Sequence, residues 1–219
     1  QANFVRHTQV QESSADQAAV EYLEASGQSG KGLIDFFNHH LRQYEFQVRR
    51  MPAYMMTHPY TSDRVEALRQ RVSVQAHYDT PDTPDNIRRF QFMQAKLIGF
   101  TETRGQTLAR YPTSDTSEPA RYARAVAYYR SSELPAAQQE LNALIATEPN
   151  NPYFHIYLSD VLLAKAIQPV LQQLQSNQPL QTNNPQTLAL IDESIKEAKL
   201  AQQYSAQGGN LRVPDTQRS

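Results

Sequence analysis

The sequence predicts an all-α fold, and three observations carry that prediction. Apolar residues recur at helical spacing almost everywhere, with no sustained period-two alternation that would mark a strand. Gln and Ala, good helix formers, are abundant, while Gly is limited to 7 residues. The polar and Pro-rich stretches fall between the periodic segments rather than inside them.

Taken in order, the first helix is predicted from about Asn3 to Ser26 and stops at Gly27, a residue suited to the position after a helix end. Ser29 can cap a second helix, on which Leu33, Ile34, Phe36, Phe37 and Leu41 form a wide apolar face. Met51 to Pro59 reads as irregular, with prolines near both ends. A third helix runs from about Ser62 to Ala76, with Val65, Leu68 and Val72 on one side. The run Asp79-Thr80-Pro81-Asp82-Thr83-Pro84-Asp85 is rich in turn formers and marks a linker. Helix resumes from Ile87 to Thr101, and Tyr111 to Pro119 is a further loop. Four more helices are expected at Ala120–Ser131, Pro135–Thr147, Pro152–Gln175 and Pro185–Tyr204. The polar tail after Ala206 is expected to be disordered.

Composition narrows the function classes. Acids and bases interleave to a net charge of -1, which argues against a nucleic-acid partner or a polybasic membrane contact. No apolar run reaches the length of a membrane span. There is no Cys, which removes disulfides and thiolate metal sites. No Gly-x-Ser-x-Gly turn is present to seat a nucleophilic serine.

Residues Glu118 to Asn151 fit the 34-residue tetratricopeptide pattern of two helices joined by a turn. Ala125 stands at the small position where the helices approach, and Tyr128, Ala137, Leu141 and Pro149 fall at further expected places. The Trp and Leu places hold Arg121 and Arg124, so the fit is partial. Pro152 opens a second such unit, with Leu158, Ser159 and Leu162 in corresponding places and an insert from Ser176 to Pro185. An ordinary helical hairpin ended by proline is the alternative. Stacked repeats would leave a groove for a peptide or protein partner. Tyr122, Tyr128, Tyr129, Tyr153 and Tyr157 gather there, as groove lining or core.

Glu12 and Asp16 sit one helical turn apart, and with Ala19 and Leu23 they share a face. Read alone, the pair fits a solvated face better than a metal ligand with its supporting acid. An inward carboxylate would need a cation or hydrogen-bond donors. Among the histidines, neighbours His39 and His40 point about 100° apart on a helix and are poorly placed to grip one ion. His7 lies on another face from Glu12, and His155, at the Trp place of the second repeat, is expected to pack.

A second motif changes the balance. Thr57-His58-Pro59-Tyr60-Thr61-Ser62-Asp63-Arg64 places a His in an extended pre-proline position and an Arg early in the next helix. With Glu12-Ser13-Ser14-Ala15-Asp16, it resembles the zinc metallopeptidases that include the CAAX prenyl endopeptidase and the bacterial periplasmic beta-barrel assembly-enhancing proteases. That family carries HExxH on one helix, ExxAD on a later one, then an HP…R element, and its bacterial branch often continues into tetratricopeptide repeats. The order matches over residues 4 to 160.

The resemblance implies that Glu12 is the third protein ligand of a zinc ion and that Asp16 supports a metal-bound imidazole from behind. It makes His58 a further candidate ligand or oxyanion contact, and gives Arg64 charge stabilisation or anchoring of the loop. Two His and one Glu would leave zinc one open position for an attacking water, with the Glu of HExxH as base. The departure is that no HExxH occurs: His7, His39, His40, His58, His77 and His155 include no i, i+4 pair. The first residues read as helix interior without a signal sequence, so the chain is expected to be the C-terminal part of such a peptidase.

The expected organisation is residues 1–79 as half of a metallopeptidase domain, 80–85 as linker, 86–205 as repeats and 206–219 as tail. The resemblance implies zinc in the full-length protein, none held tightly by this chain, and no proteolysis by it alone. It implies a place in the bacterial periplasm or envelope, protein or peptide substrates, and contact with an outer-membrane protein assembly complex. The alternative is a non-catalytic helical-repeat interaction module.

Overall fold

A computed structural model describes residues 2–47, 62–176 and 184–208. Every regular element among them is a helix. They divide into two compact units, Gln1–Ile87 and Arg88–Ser219.

The first unit contains α1 (Ala2–Ala25), α2 (Lys31–Gln47) and α3 (Ser62–Val72). Its core is Val20, Ile34, Phe37, Val65, Leu68 and Val72, with Leu33 and Tyr78 packed against it. The helix periodicity read from the sequence is thus the periodicity of burial. The α1 end is fixed by Gly27 at φ +71°, with Gly27 N–H donating to Glu24 O and Gln28 N–H to Leu23 O. That left-handed residue and the paired bonds close the last turn, which is why a glycine stands there. Gly30 is also required: a Cβ on it would lie 2.7 Å from a Val72 methyl.

The segment after α3 folds back onto the α1–α2 corner. Glu24 accepts hydrogen bonds from the backbone of Ala76 (3.1 Å) and His77 (3.3 Å), and Gln75 Nε2 donates to Val20 O (3.1 Å). Ser29 caps α2 through Lys31 N–H and donates its own hydroxyl to Tyr78 O at 2.5 Å. Lys31 pairs with Asp79. The third helix is therefore shorter than its apolar pattern suggests, because polar partners on α1 draw residues 73–80 into turns.

The second unit contains α5 (Arg104–Arg110), α6 (Glu118–Arg130), α7 (Leu134–Thr147), α8 (Pro152–Gln175) and α9 (Pro185–Gly208), preceded by α4 (Pro84–Thr101). Helices α6 to α9 pack in sequence as two consecutive hairpins. Ala125, Ala137, Leu141 and Leu144 are fully buried between them. On α4, Phe92, Ala95 and Gly99 face this core, and Phe92 meets Tyr122 and Phe154 at centroid distances of 5.7 Å. A Cβ on Gly99 would fall 2.4 Å from Ala123 O, so α4 approaches α6 as closely as it does only because the side chain is missing.

Helix α5 falls outside the predicted helices. Its seven residues are begun by a capping box, Thr103 with Gln106, a four-residue signature present in the sequence. His155 is buried, with Nδ1 2.5 Å from Glu197 Oε2 and Nε2 2.7 Å from Pro149 O, so it joins α9 to the turn before α8. The predicted tail lies mostly outside the described residues.

Polar clamps replace apolar contacts at the edge of this core. Arg88 Nη2 donates to Glu118 Oε2 at 2.9 Å and also pairs with Glu148, whose other oxygen accepts from Asn151 at 2.8 Å. Burial alone would raise the Glu148 carboxyl, but the bonds from Arg88 and Asn151 outweigh it and hold it below its ordinary value. A carboxylate depressed in the folded state adds stability that is present above its unfolded value and lost as pH falls through the folded one. Thermal unfolding should therefore show the second unit weakening from about pH 5 downward, with Arg88→Ala removing part of that slope. Equal slopes in both proteins would show that the clamp is energetically silent.

Candidate functional site

The two short motifs of the first unit meet in space. Arg64, in the first turn of α3, reaches α1 across 48 residues of sequence. Its Nε donates to Asp16 Oδ2 at 2.6 Å and its Nη2 to Asp16 Oδ1 at 2.8 Å, a bidentate grip. The same Nη2 lies 2.6 Å from Glu12 Oε2. The three side chains are largely withdrawn from water, at 15% exposure for Arg64, 22% for Glu12 and 9% for Asp16.

Local sequence explains the meeting. The i, i+4 spacing sets both carboxyl groups on one side of α1, and Val20, one turn beyond Asp16, anchors that side in the core. Leu23, which shares that face, is only half-buried. On α3, Val65 and Leu68 bury the inner face and leave Arg64 at its edge, facing α1. Hydrogen bonding to Asp16, reinforced by the charges of Asp16 and Glu12, holds Arg64 above its ordinary value despite partial burial, so it stays a cation. Within this trio one guanidinium faces two carboxylates, with Asp16 engaged through both oxygens and Glu12 nearer to solvent.

The solvated-face reading of Glu12 and Asp16 is thus replaced by a partly buried ion cluster. His58 lies outside the described residues, as do its neighbours in the HP…R element up to Thr61. His39 is exposed and His40 meets Phe36 edge-on at a centroid distance of 4.2 Å, with the two imidazole centroids 5.7 Å apart. Phe37 is the contributor that sequence reasoning left unassigned to the site: its ring lies 4.9 Å from the Arg64 guanidinium carbon. Among the described residues no three His, Cys, Asp or Glu side chains converge as a metal site. The described residues therefore do not fit a complete zinc centre: they bring together two carboxylates and one arginine.

The arrangement defines the first unit as a helical scaffold for a carboxylate pair locked by an arginine. Residues 3–72 match the pattern of peptidase family M48, which spans α1, α2 and α3, and the first unit is related to those peptidases. More particularly, the chain is similar to the beta-barrel assembly-enhancing protease of Yersinia pestis, 23% identical over 172 residues, covering 75% of this chain and 34% of that protein. It is also similar to the beta-barrel assembly-enhancing protease of Escherichia coli (strain K12), 24% identical over 215 residues, covering 86% of this chain and 42% of that protein. The chain thus spans well under half the length of these curated relatives. No solved structure matches it. No helix among the described residues is long and apolar enough to cross a membrane.

Proposed function

We propose that this chain is part of a zinc metalloendopeptidase of the bacterial cell envelope. In this reading Glu12 is the third protein ligand of the metal, Asp16 supports a metal-bound imidazole, and His58 approaches the metal or the substrate oxyanion. Arg64 fixes both carboxylates. The two imidazole ligands and the general base come from sequence outside these 219 residues, which contain no HExxH. Alone, the chain hydrolyses nothing and holds no zinc tightly. The observation that supports the reading is the Arg64 grip on Glu12 and Asp16, which joins the arginine of the HP…R element to the two acids of ExxAD.

Residues 86–205 act as tetratricopeptide-like repeats that dock protein substrates or an outer-membrane protein assembly complex. The names of the relatives motivate that partner class. The second reading, an interaction module without catalysis, is favoured by one feature: Ile156, Leu163, Ile167, Leu171 and Leu174 form an exposed apolar line on α8.

The test is a longer polypeptide that supplies HExxH. Bound zinc and casein cleavage are measured for it and for two variants. Glu12→Ala should lose both. Asp16→Asn should keep the ligand set but weaken zinc by about 10–100-fold. Unchanged zinc in Glu12→Ala would remove the ligand assignment and leave the docking module.

A further inference from the structure

Neither motif accounts for the surface on which Arg64 rests. Phe37 belongs to α2, is 6% exposed, and presents its ring to the guanidinium at 4.9 Å. The hydrogen bonds from Nε and Nη2 to the two carboxylates leave a guanidinium through its edge, in its plane. Its faces are weakly hydrated and favour aromatic rings. The guanidinium is thus held from two helices: α1 accepts its hydrogen bonds and α2 brings the Phe37 ring against it.

We infer that Phe37 is a positioning residue for the Glu12–Asp16 pair. An arginine side chain has many rotamers, and most would carry the cation away from α1. The ring occupies space those rotamers need and attracts the cation where it lies. Arg64, held in this way, sets the rotamers of Glu12 and Asp16. An aliphatic residue would fill the same core volume without attracting charge. The neighbouring Phe36 is 50% exposed and meets His40 edge-on, so the role belongs to position 37. The consequence for metal binding rests on the reading of Glu12 as a zinc ligand; the positioning of Arg64 does not.

The test uses the 219-residue chain labelled with 15N. The Arg64 Nε–H signal is assigned by its disappearance in Arg64→Lys, and its exchange with solvent is measured. Phe37→Leu should speed that exchange by about tenfold, the scale of a partly desolvated cation–π contact. Phe37→Tyr, which keeps the ring, should restore slow exchange. Ile34→Val trims the same core and should leave the signal within about twofold of its original rate. Unchanged exchange in Phe37→Leu, or equal acceleration in Ile34→Val, would overturn the inference.

In the longer, zinc-binding polypeptide, Phe37→Leu should also raise the zinc dissociation constant by about tenfold. If Glu12→Ala leaves zinc intact there, the metal reading fails while the Nε–H result still decides the role of Phe37.

Discussion

Replacing Arg64 with Gln is expected to destabilise the first unit by about 2–4 kcal/mol, because it takes the bidentate cation from the buried Asp16 carboxylate, which has the Glu12 carboxylate beside it. Asp16 loses a bidentate partner and Glu12 loses its link to α3. The estimate stays below the full cost of breaking a buried pair because Glu12 and Arg64 retain some contact with water. A Gln amide can replace one hydrogen bond but not the charge. Chemical denaturation of the wild type, of Arg64→Gln and of the double variant Arg64→Gln/Asp16→Asn measures it. The double variant should recover part of the loss, since it removes one of the stranded charges. An Arg64→Gln protein as stable as the wild type would mean the cluster is a surface ion pair of the kind worth almost nothing. It would also remove the main support for reading the two motifs as one working group.

Much of this arrangement was legible in the sequence, for identifiable reasons. Helix periodicity depends on neighbours three and four residues away, so α1, α2, α6, α7, α8 and α9 follow from local pattern and Pro or Gly punctuation. The i, i+4 spacing likewise placed Glu12 and Asp16 together without any structure. Which cation would meet them was not legible from spacing, since Asp16 and Arg64 are 48 residues apart and only the fold closes that gap. The role of Phe37 was hidden for another reason. An aromatic on the apolar face of a helix reads as core, and it is core; its ring face against a guanidinium is a tertiary fact. The shortening of α3 is similar, since the acceptors that capture Ala76 and His77 are carboxylate oxygens on Glu24 of another helix. Helix α5 differs from these, because its capping box lay in the sequence and could have been read.

Arg121 and Arg124 read as departures from the repeat pattern, and the structure turns the second into the largest expected effect in the molecule. Arg124 is 1% exposed, standing where the pattern has leucine. Its Nε donates to Glu140 Oε1 at 2.6 Å, and its Nη1 donates to Pro112 O and Asp115 O, each at 2.8 Å. One guanidinium therefore ties α6 to α7 and pins the 111–117 loop that leads into the hairpin. Arg124→Ala should cost about 3–5 kcal/mol, because it strands buried acceptors and opens a cavity at once. Glu140 would keep Arg121 at 3.0 Å, so the carboxylate is not wholly orphaned; the loop carbonyls lose the donor that tethers them. Arg124→Lys should fail nearly as badly, since an ammonium is a point charge and cannot serve three directions through a planar fork. Arg124→Leu, the residue the pattern would place there, should retain packing yet still release the loop. Urea denaturation would report the stability, and amide hydrogen exchange would report the loop. The expected signature is loss of protection at Ser117 and Arg121, whose amides bond to Asp115 and Ser117. Full protection and unchanged stability in Arg124→Leu would mean that helix packing alone holds the hairpin, with the buried ion pair contributing nothing to it.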